Sequence, residues 1–411
     1  MIVPSDNRWQ RGFWHLMGVQ FQNAFSDNAL KTLVILLFLT HTMSEEVRNT
    51  QVALTGALFA GPFVLFSMFG GWLADRFRKQ TVIFWVKTTE VGIMLVAAVG
   101  LGSRNLPIQL AAIFLMGCHS AIFAPSKYSI LPEIIPLAKL SWGNGILELL
   151  TFLGIIFGTV AGGFMASWFK ERPFLSGVPL GVAAIFGWHL ARGIPRGMAA
   201  NPECPVRINP MTDLWCQLRT MKQDSILWRA NLGNAVFFFL GALIQMNLVL
   251  FGQRVLHLNE SQNGLLNAAL AIGIGIGSVT AGYASKGTIH YKMVTIGAAL
   301  MGVATVPMGI ATISSSTFYC ALMLLGFGGG CFIVPITAAL QHRPASSNKG
   351  AVQGAASVVS SIGILCASGV QFILSTEAHL SPAHIFWVCG GVSILAGTYV
   401  ASSGHSADRA G

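Results

Sequence analysis

The first long apolar segment carries four polar side chains at the spacing of one helix face. Gln20, Asn23, Asp27 and Lys31 would form a single polar stripe on a helix. An ionisable group at the centre of a membrane helix costs roughly 2.5 to 3.5 kcal/mol, so such groups usually face a protein interior or a water-filled cavity. We therefore interpret the stripe as one wall of a substrate cavity.

Two carboxylate–ammonium pairs in this half of the chain allow a simpler interpretation. Asp27 and Lys31 are one helical turn apart, so an ion pair between them could neutralise both charges and only help helices dock. Lys87 and Glu90 are three residues apart in the third apolar segment. For this second pair we favour a buried ion pair over a cavity wall.

The fifth apolar segment places another set of polar residues on one helix face. Asn144, Glu148 and Thr151 share that face, and Glu148 would be a second carboxylate of the cavity. In the second half of the chain, Gln245 is a polar candidate for the same cavity. The fifth segment also contains glycines at four-residue spacing, which predict a groove for close helix packing: Gly154, Gly158 and Gly162.

Composition requires a membrane around these residues. Of the 411 residues, 53% are hydrophobic and only 10% are charged, whereas about a quarter of an ordinary soluble chain is charged. A spanning helix needs about 20 residues. We mark twelve apolar segments as spanning helices: 12–38, 51–73, 81–101, 107–125, 139–169, 176–192, 229–252, 262–284, 293–313, 317–340, 350–376 and 382–402.

The distribution of basic residues predicts the orientation. With the N-terminus in the cytoplasm, most of the 25 Lys and Arg residues fall in cytoplasmic loops, as the positive-inside rule requires. Both termini are then cytoplasmic, and the net charge of +10 needs no nucleic-acid partner. We expect no removable signal peptide. Because the seven cysteines show no CxxC or zinc spacing, we expect no metal and no cofactor.

The loop after the second segment contains a recognisable motif. Residues 70–80 read GGWLADRFRKQ, which resembles the signature G-x3-D-R-x-G-x-R-R between helices two and three of the Major Facilitator Superfamily. Gly71, Asp75 and Arg76 match, while Arg78 stands where the superfamily has its second glycine. Glycine lets two helices approach, and Asp75 can cap or pair across the cytoplasmic gap. We assign these three residues to gating.

The end of the fourth segment reads AIFAPSKYSILPE. Because Pro125 and Pro132 bracket a Lys-Tyr pair at the membrane boundary, we expect the helix to be interrupted there. The ordinary interpretation of Lys127 is that its side chain extends to lipid phosphates.

Three motifs in order carry a narrower resemblance. F-x-D-N-x-x-K (Phe25–Lys31), P-x-K-Y-x-I-L-P (Pro125–Pro132) and GN-x3-E-x2-TFL-x3-GT (Gly143–Thr159) resemble the bacterial lysophospholipid transporter family, as does GIGIGS at Gly273–Ser278. The resemblance implies inward movement of lysophospholipids, chiefly lysophosphatidylethanolamine, across the inner membrane for re-acylation. It adds Asn28 and Tyr128 to the substrate-binding candidates.

Some members of that family carry a fused acyltransferase and acyl-activating domain. This sequence ends at Gly411, and none of its ten histidines begins an H-x4-D motif. We therefore expect a transporter and no enzyme, with membrane lipids around it and re-acylation left to a separate acyltransferase or acyl-activating enzyme.

The resemblance also implies the fold class and the domains. We expect an all-α membrane protein with twelve transmembrane helices in two pseudo-symmetric six-helix bundles, the major facilitator fold. The bundles are residues 1–194 and 229–411, and residues 195–228 form a cytoplasmic linker. Apolar residues recur at helical spacing in that linker, which predicts an amphipathic helix in the headgroup plane: Met211, Leu214, Trp215, Leu218 and Met221.

A lysophospholipid requires a cavity with a polar end and an oily flank. Charge-assisted bonds are strong in a low dielectric, so Lys31 or Lys127 would bind the phosphate and Asp27 or Glu148 the ammonium. One alternative is a proton-coupled drug or metabolite exporter in which one of these carboxylates titrates. Another is a membrane-embedded acyltransferase or lipid receptor, against which the missing H-x4-D and HExxH motifs argue.

Overall fold

The computed structural model describes residues 8–39, 45–205, 209–310 and 312–402. Both chain termini, whose side of the membrane the sequence predicts, lie outside these ranges. The described residues form thirteen α-helices: α1 (Arg8–Leu39), α2 (Glu45–Arg76), α3 (Lys79–Gly102), α4 (Leu106–Ile134), α5 (Leu140–Trp168), α6 (Gly177–Ala191), α7 (Pro210–Met221), α8 (Ser225–Arg254), α9 (Glu260–Ala284), α10 (Lys292–Met308), α11 (Ser315–His342), α12 (Lys349–Phe372) and α13 (Pro382–Ala401).

The helices agree with the predicted all-α membrane architecture. In the described part of the chain, ten helices are long and apolar enough to cross a bilayer. The other two predicted segments correspond to α1, which has 32 residues, and to the shorter apolar helix α10. The remaining helix, α7, lies in the predicted linker and is amphipathic: Leu214 and Met221 are buried, while Trp215 is exposed.

The chain divides into two compact units. The first unit comprises residues 1–135, 153–215 and 345–358, and the second comprises 136–152, 216–344 and 359–411. In the first unit, the apolar faces of α1, α3, α4 and α6 share a core. Its buried members include Leu30, Leu33, Val34, Met94, Ile113, Met116 and Leu180.

Glycines let α5 pack directly on the backbone of α1. A Cβ atom at Gly154 would lie 2.7 Å from the Phe21 carbonyl oxygen, and one at Gly162 would lie 2.6 Å from that of Ala29. These separations are shorter than real Cβ contacts. The packing groove predicted from the four-residue spacing is therefore confirmed within the first unit.

Gly158→Ala is expected to lower the melting temperature of the purified protein. A Cβ there would overlap the backbone carbonyl of Phe25, so α1 and α5 would have to separate. Gly163→Ala, on the same helix, is the matched control, because its Cβ meets only a Leu36 methyl at 4.0 Å. Equal melting temperatures for the two variants would contradict direct backbone packing at Gly158.

The expected interruption of the fourth helix is wrong. Helix α4 continues from Leu106 to Ile134 through both Pro125 and Pro132. The hydroxyl of Ser129 donates to the Pro125 carbonyl at 2.6 Å. Helix α2 also approaches closely at Gly70, where a Cβ would lie 3.1 Å from the carbonyl oxygen of residue 121, one turn before Pro125. Because Pro125 has no N–H, this carbonyl loses its helical donor, and neighbouring helices let a membrane helix tolerate proline at such a place.

Aromatic packing and a helix cap both stabilise the second unit. Three phenylalanines from α8, α11 and α13 form an aromatic cluster, in which the rings of Phe251 and Phe318 stack with centroids 4.4 Å apart. Asp224 caps α8 and accepts a hydrogen bond from Arg343. Burial opposes ionisation of Asp224, but the hydrogen bonds from Arg343 and from backbone amides outweigh it and lower the pKa of this carboxyl.

Candidate functional site

Asp27 is buried where α1 packs against α4, with 7% of its surface exposed. Its Oδ2 accepts a hydrogen bond from Asn23 Nδ2 at 3.0 Å. The Ser120 hydroxyl lies 3.0 Å and 2.9 Å from the two carboxylate oxygens. A residue one turn earlier on α1 and a hydroxyl from α4 therefore set the orientation of this carboxylate.

Lys87 and Glu90 form the buried ion pair predicted from their spacing. The distance from Lys87 Nζ to Glu90 Oε2 is 2.6 Å, and both side chains are fully buried. Lys87 Nζ also donates to Gln22 Oε1 at 2.9 Å and to Asn23 Oδ1 at 2.8 Å. Because the Asn23 amide accepts from Lys87 and donates to Asp27, it joins the ion pair on α3 to the carboxylate on α1.

Further polar groups complete the cluster. Gln22 Nε2 donates to Ser26 Oγ and to Glu90 Oε1, each at 2.7 Å. His119 Nε2 lies 3.4 Å from Glu90 Oε2, and its Nδ1 lies 3.5 Å from the hydroxyl of Ser120. We call this set of eight side chains the buried polar cluster: Gln22, Asn23, Ser26, Asp27, Lys87, Glu90, His119 and Ser120.

The other residues of the predicted stripe lie beside the cluster. Lys31 is half-buried, and its Nζ lies 4.1 Å from the centroid of the Phe59 ring on α2. The Lys31 ammonium therefore makes a cation–π contact, while the hydrogen bonds of the Asp27 carboxylate go to Asn23 and Ser120. Gln20 is buried, and Asn28 donates to the backbone carbonyl of residue 24 at 2.8 Å.

Lys127 does not extend to the lipid headgroups, which corrects the ordinary interpretation of its position. It is only 7% exposed. Its Nζ lies 4.2 Å from the centroid of the Tyr128 ring and 5.8 Å from that of Phe123. The Phe123 ring also has Lys87 Nζ at 5.2 Å from its centroid, so one aromatic ring lies near both ammonium groups. The uninterrupted α4 helix places Lys127 on this inner face.

The candidates on α5 and α8 belong to the second unit. Asn144 is fully buried, and its side-chain amide exchanges two hydrogen bonds of 2.8 Å with Gln341. Glu148 is buried, and Thr151 Oγ1 donates to the Leu147 carbonyl at 2.7 Å. Gln245 is exposed on α8. The amide of Asn144 is thus committed to another side chain, which sequence spacing could not show.

Asp75 binds the N-terminus of α12 within the first unit. Its carboxylate accepts from the backbone N–H groups of Gly350 at 2.7 Å and Ala351 at 2.8 Å. Gly71 permits this approach, since a Cβ there would lie 2.6 Å from the carbonyl oxygen of Gly350. A carboxylate at a helix N-terminus is stabilised by the unpaired amides and the helix dipole.

The linker is attached to the same end of α2. The Arg76 guanidinium donates to the Cys204 carbonyl, and Trp72 Nε1 donates to the Pro205 carbonyl at 2.9 Å. The Asn201 backbone amide donates to the Asp75 carbonyl at 2.8 Å. The three residues assigned to gating therefore connect α2 to α12 and to residues 201–205.

The buried polar cluster is suited to binding and orientation. Two carboxylates and one ammonium lie among amides and hydroxyls, inside a helix bundle where charge-assisted hydrogen bonds are strong. Among the described residues, no group of three or more His, Cys, Asp or Glu could hold a metal ion. The sequence identified Asp27, Asn23 and the ion pair, but it missed Gln22, Ser26, His119 and Ser120. The four-residue spacing of Gln22 and Ser26 was the available signal for two of them.

The sequence matches the model of the Major Facilitator Superfamily over residues 16–368 and again over 250–404. It is similar to lysophospholipid transporters LplT. The protein from Cronobacter sakazakii is 30% identical over 349 residues, and that from Salmonella typhi is 28% identical over 348 residues. In each case the match covers 83% of this chain and 82% of the relative.

Solved structures of the same fold cover nearly the whole chain. The human organic anion transporter MFSD10 superposes with a TM-score of 0.80 at 14% identity, covering 95% of this chain and 99% of that one. The transporter FucP superposes with a TM-score of 0.76 at 12% identity, covering 96% and 99%. At these identities the likeness concerns the fold alone.

Proposed function

Because this chain belongs to the Major Facilitator Superfamily and is a multi-pass membrane transporter rather than an enzyme, we propose that its substrates are lysophospholipids. It moves them, chiefly lysophosphatidylethanolamine, inward across the bacterial inner membrane by alternating access. A separate acyltransferase or acyl-activating enzyme then re-acylates them. Similarity to the LplT proteins over 83% of the chain supports this substrate class.

The observation that carries the proposal is the Asp27 carboxylate, which is buried on α1 and held by Asn23 and Ser120. A zwitterionic headgroup needs an anion and a cation in one polar site. We assign the substrate ammonium to Asp27, with Glu148 as the second carboxylate. We assign the phosphate to Lys31 or Lys127. The Lys31 ammonium lies 4.1 Å from the centroid of the Phe59 ring, and the Lys127 ammonium lies 4.2 Å from that of the Tyr128 ring.

For the domains and the gating residues, we propose the assignments predicted from the sequence. We propose six-helix bundles over residues 1–194 and 229–411, a cytoplasmic linker over 195–228 and cytoplasmic termini. Gly71, Asp75 and Arg76 act in gating. The hydrogen bonds of Asp75 to the α12 amides support this role. One carboxylate makes both bonds at the positive end of the helix, so the two bonds can form and break together.

The test is uptake of labelled lysophosphatidylethanolamine into proteoliposomes by the purified full-length protein. Asp27→Asn and Glu148→Gln, made separately, are each expected to lower the initial rate at least about tenfold, because each removes a buried charge from the headgroup site. Glu171→Gln, at an exposed position, is the matched control and should transport normally.

Two outcomes would contradict the proposal. Lysophosphatidylethanolamine uptake that survives in both variants would show that these carboxylates do not bind the headgroup. Transport that requires an imposed pH gradient and accepts drugs rather than lysolipid would support the proton-coupled exporter instead. Diacyl phosphatidylethanolamine should remain untransported, since the proposed substrates carry a single acyl chain.

A further inference from the structure

A basic cavity lies in the first unit, where the loop after α2 meets the end of α6. It has a volume of about 350 Å³, within the lower range of small-ligand sites. Three arginines from two separate segments converge on it. Its lining residues are Arg78, Gln80, Thr81, Phe84, Arg192 and Arg196.

The positive charge of this cavity is not neutralised by a neighbouring acid. Among the described residues, no ion pair joins Arg78, Arg192 or Arg196 to a carboxylate. The carboxylate of Glu133 binds Lys79 instead, at 2.8 Å. The three guanidinium groups therefore give the cavity a net positive potential.

An aromatic wall orders one of these arginines in advance. The Arg192 guanidinium lies 3.6 Å from the centroid of the Trp188 ring, and Trp188 Nε1 donates to the Thr88 hydroxyl at 3.1 Å. The Phe84 ring lies beside Trp188, with centroids 5.9 Å apart. An arginine stacked on a fixed ring loses less conformational freedom when it binds an anion.

The cavity also adjoins an apolar surface. It lies at the ends of α3 and α6, two helices that are long and apolar enough to span the membrane. Trp85 on α3 is 61% exposed next to Phe84. Tryptophan near the end of a membrane helix is typical of the interface between headgroups and acyl chains, so a bound headgroup could keep its chains in the bilayer.

We propose that this cavity binds the headgroup of an anionic membrane phospholipid, with the phosphate between the guanidinium groups and the acyl chains along α3 and α6. The planar guanidinium matches a phosphate through paired hydrogen bonds. Basic pockets between membrane helices bind anionic headgroups by the same chemistry. The site does not depend on the proposed transport of lysophospholipids and is separate from the buried polar cluster.

The test compares lipid binding by three forms of the full-length protein in nanodiscs containing phosphatidylethanolamine and phosphatidylglycerol, measured by native mass spectrometry after release. The wild type is expected to retain phosphatidylglycerol in preference to phosphatidylethanolamine. The Arg78→Gln/Arg192→Gln/Arg196→Gln variant should lose this preference by about a hundredfold, at roughly fivefold for each arginine. A matched variant with three exposed lysines replaced by Gln, at Lys139, Lys286 and Lys292, should keep it.

Single variants and a competition with free phosphate complete the test. If the triple variant does not yield folded protein, Arg78→Gln and Arg196→Gln are measured singly, each with a loss of about fivefold expected. About ten millimolar inorganic phosphate should not displace the lipid, because the acyl chains contribute to binding. Equal retention by the arginine and lysine variants, equal binding of the zwitterionic lipid, or displacement by free phosphate would each overturn the proposal.

Discussion

The Lys87→Met variant is expected to lose most of its folded protein. Lys87 Nζ donates to Glu90, Gln22 and Asn23, and all of these side chains are buried. Removing the ammonium leaves the Glu90 carboxylate in a low dielectric without its counter-charge. Breaking a buried ion pair in this way costs about 3–5 kcal/mol. The measurement is the yield and melting temperature of monodisperse protein in detergent.

Two further variants separate charge from packing. Lys87→Met/Glu90→Gln should recover most of the stability, because the amide introduced at position 90 carries no charge and can still hydrogen bond to Gln22. Lys79→Met is the matched control on the same helix: its partner Glu133 is 30% exposed and can be solvated by water when the lysine is lost. A double variant as unstable as Lys87→Met would show that the lost side-chain volume is responsible.

The Asp75→Ala variant is expected to release the N-terminus of α12. The amides of Gly350 and Ala351 should then exchange with deuterium faster by about tenfold to a hundredfold, because a hydrogen bond to a charged group contributes about 1.5–3 kcal/mol. Hydrogen–deuterium exchange of the peptide covering residues 346–356 measures this. If Asp75 acts in gating, the uptake rate should change as well.

A graded series tests the electrostatic part of this contact. Asp75→Asn retains one oxygen acceptor but no charge, so its exchange rate should fall between those of the wild type and Asp75→Ala. Ser314→Ala, which removes the side-chain cap of α11, should leave exchange in residues 346–356 unchanged. If residues 346–356 of Asp75→Ala exchange at the wild-type rate, other contacts hold the N-terminus of α12.

The continuity of α4 and the environment of Lys127 could not have been predicted from residue spacing. The two prolines in α4 predicted an interruption, yet the helix is continuous, and Gly70 of α2 packs close to the carbonyl of residue 121, which loses its helical donor at Pro125. This one difference changed the environment of Lys127, which lies against Tyr128 inside the protein. Local helix propensity is a property of one segment, whereas the continuity of a membrane helix through a proline depends on the helices packed around it.

Hydropathy and periodicity were enough to predict the membrane class, the helical segments and the buried ionisable residues. Hydropathy over about 20 residues reflects the thickness of the bilayer, and helical periodicity assigns each polar residue to a face. Both are properties of a single segment. The partner of each polar group depends instead on how the helices pack: Asn144 pairs with Gln341, Asp27 with Ser120, and Asp75 with the amides of α12. These partners lie 93 to 276 residues apart in the chain, and helix packing alone brings them within hydrogen-bond distance.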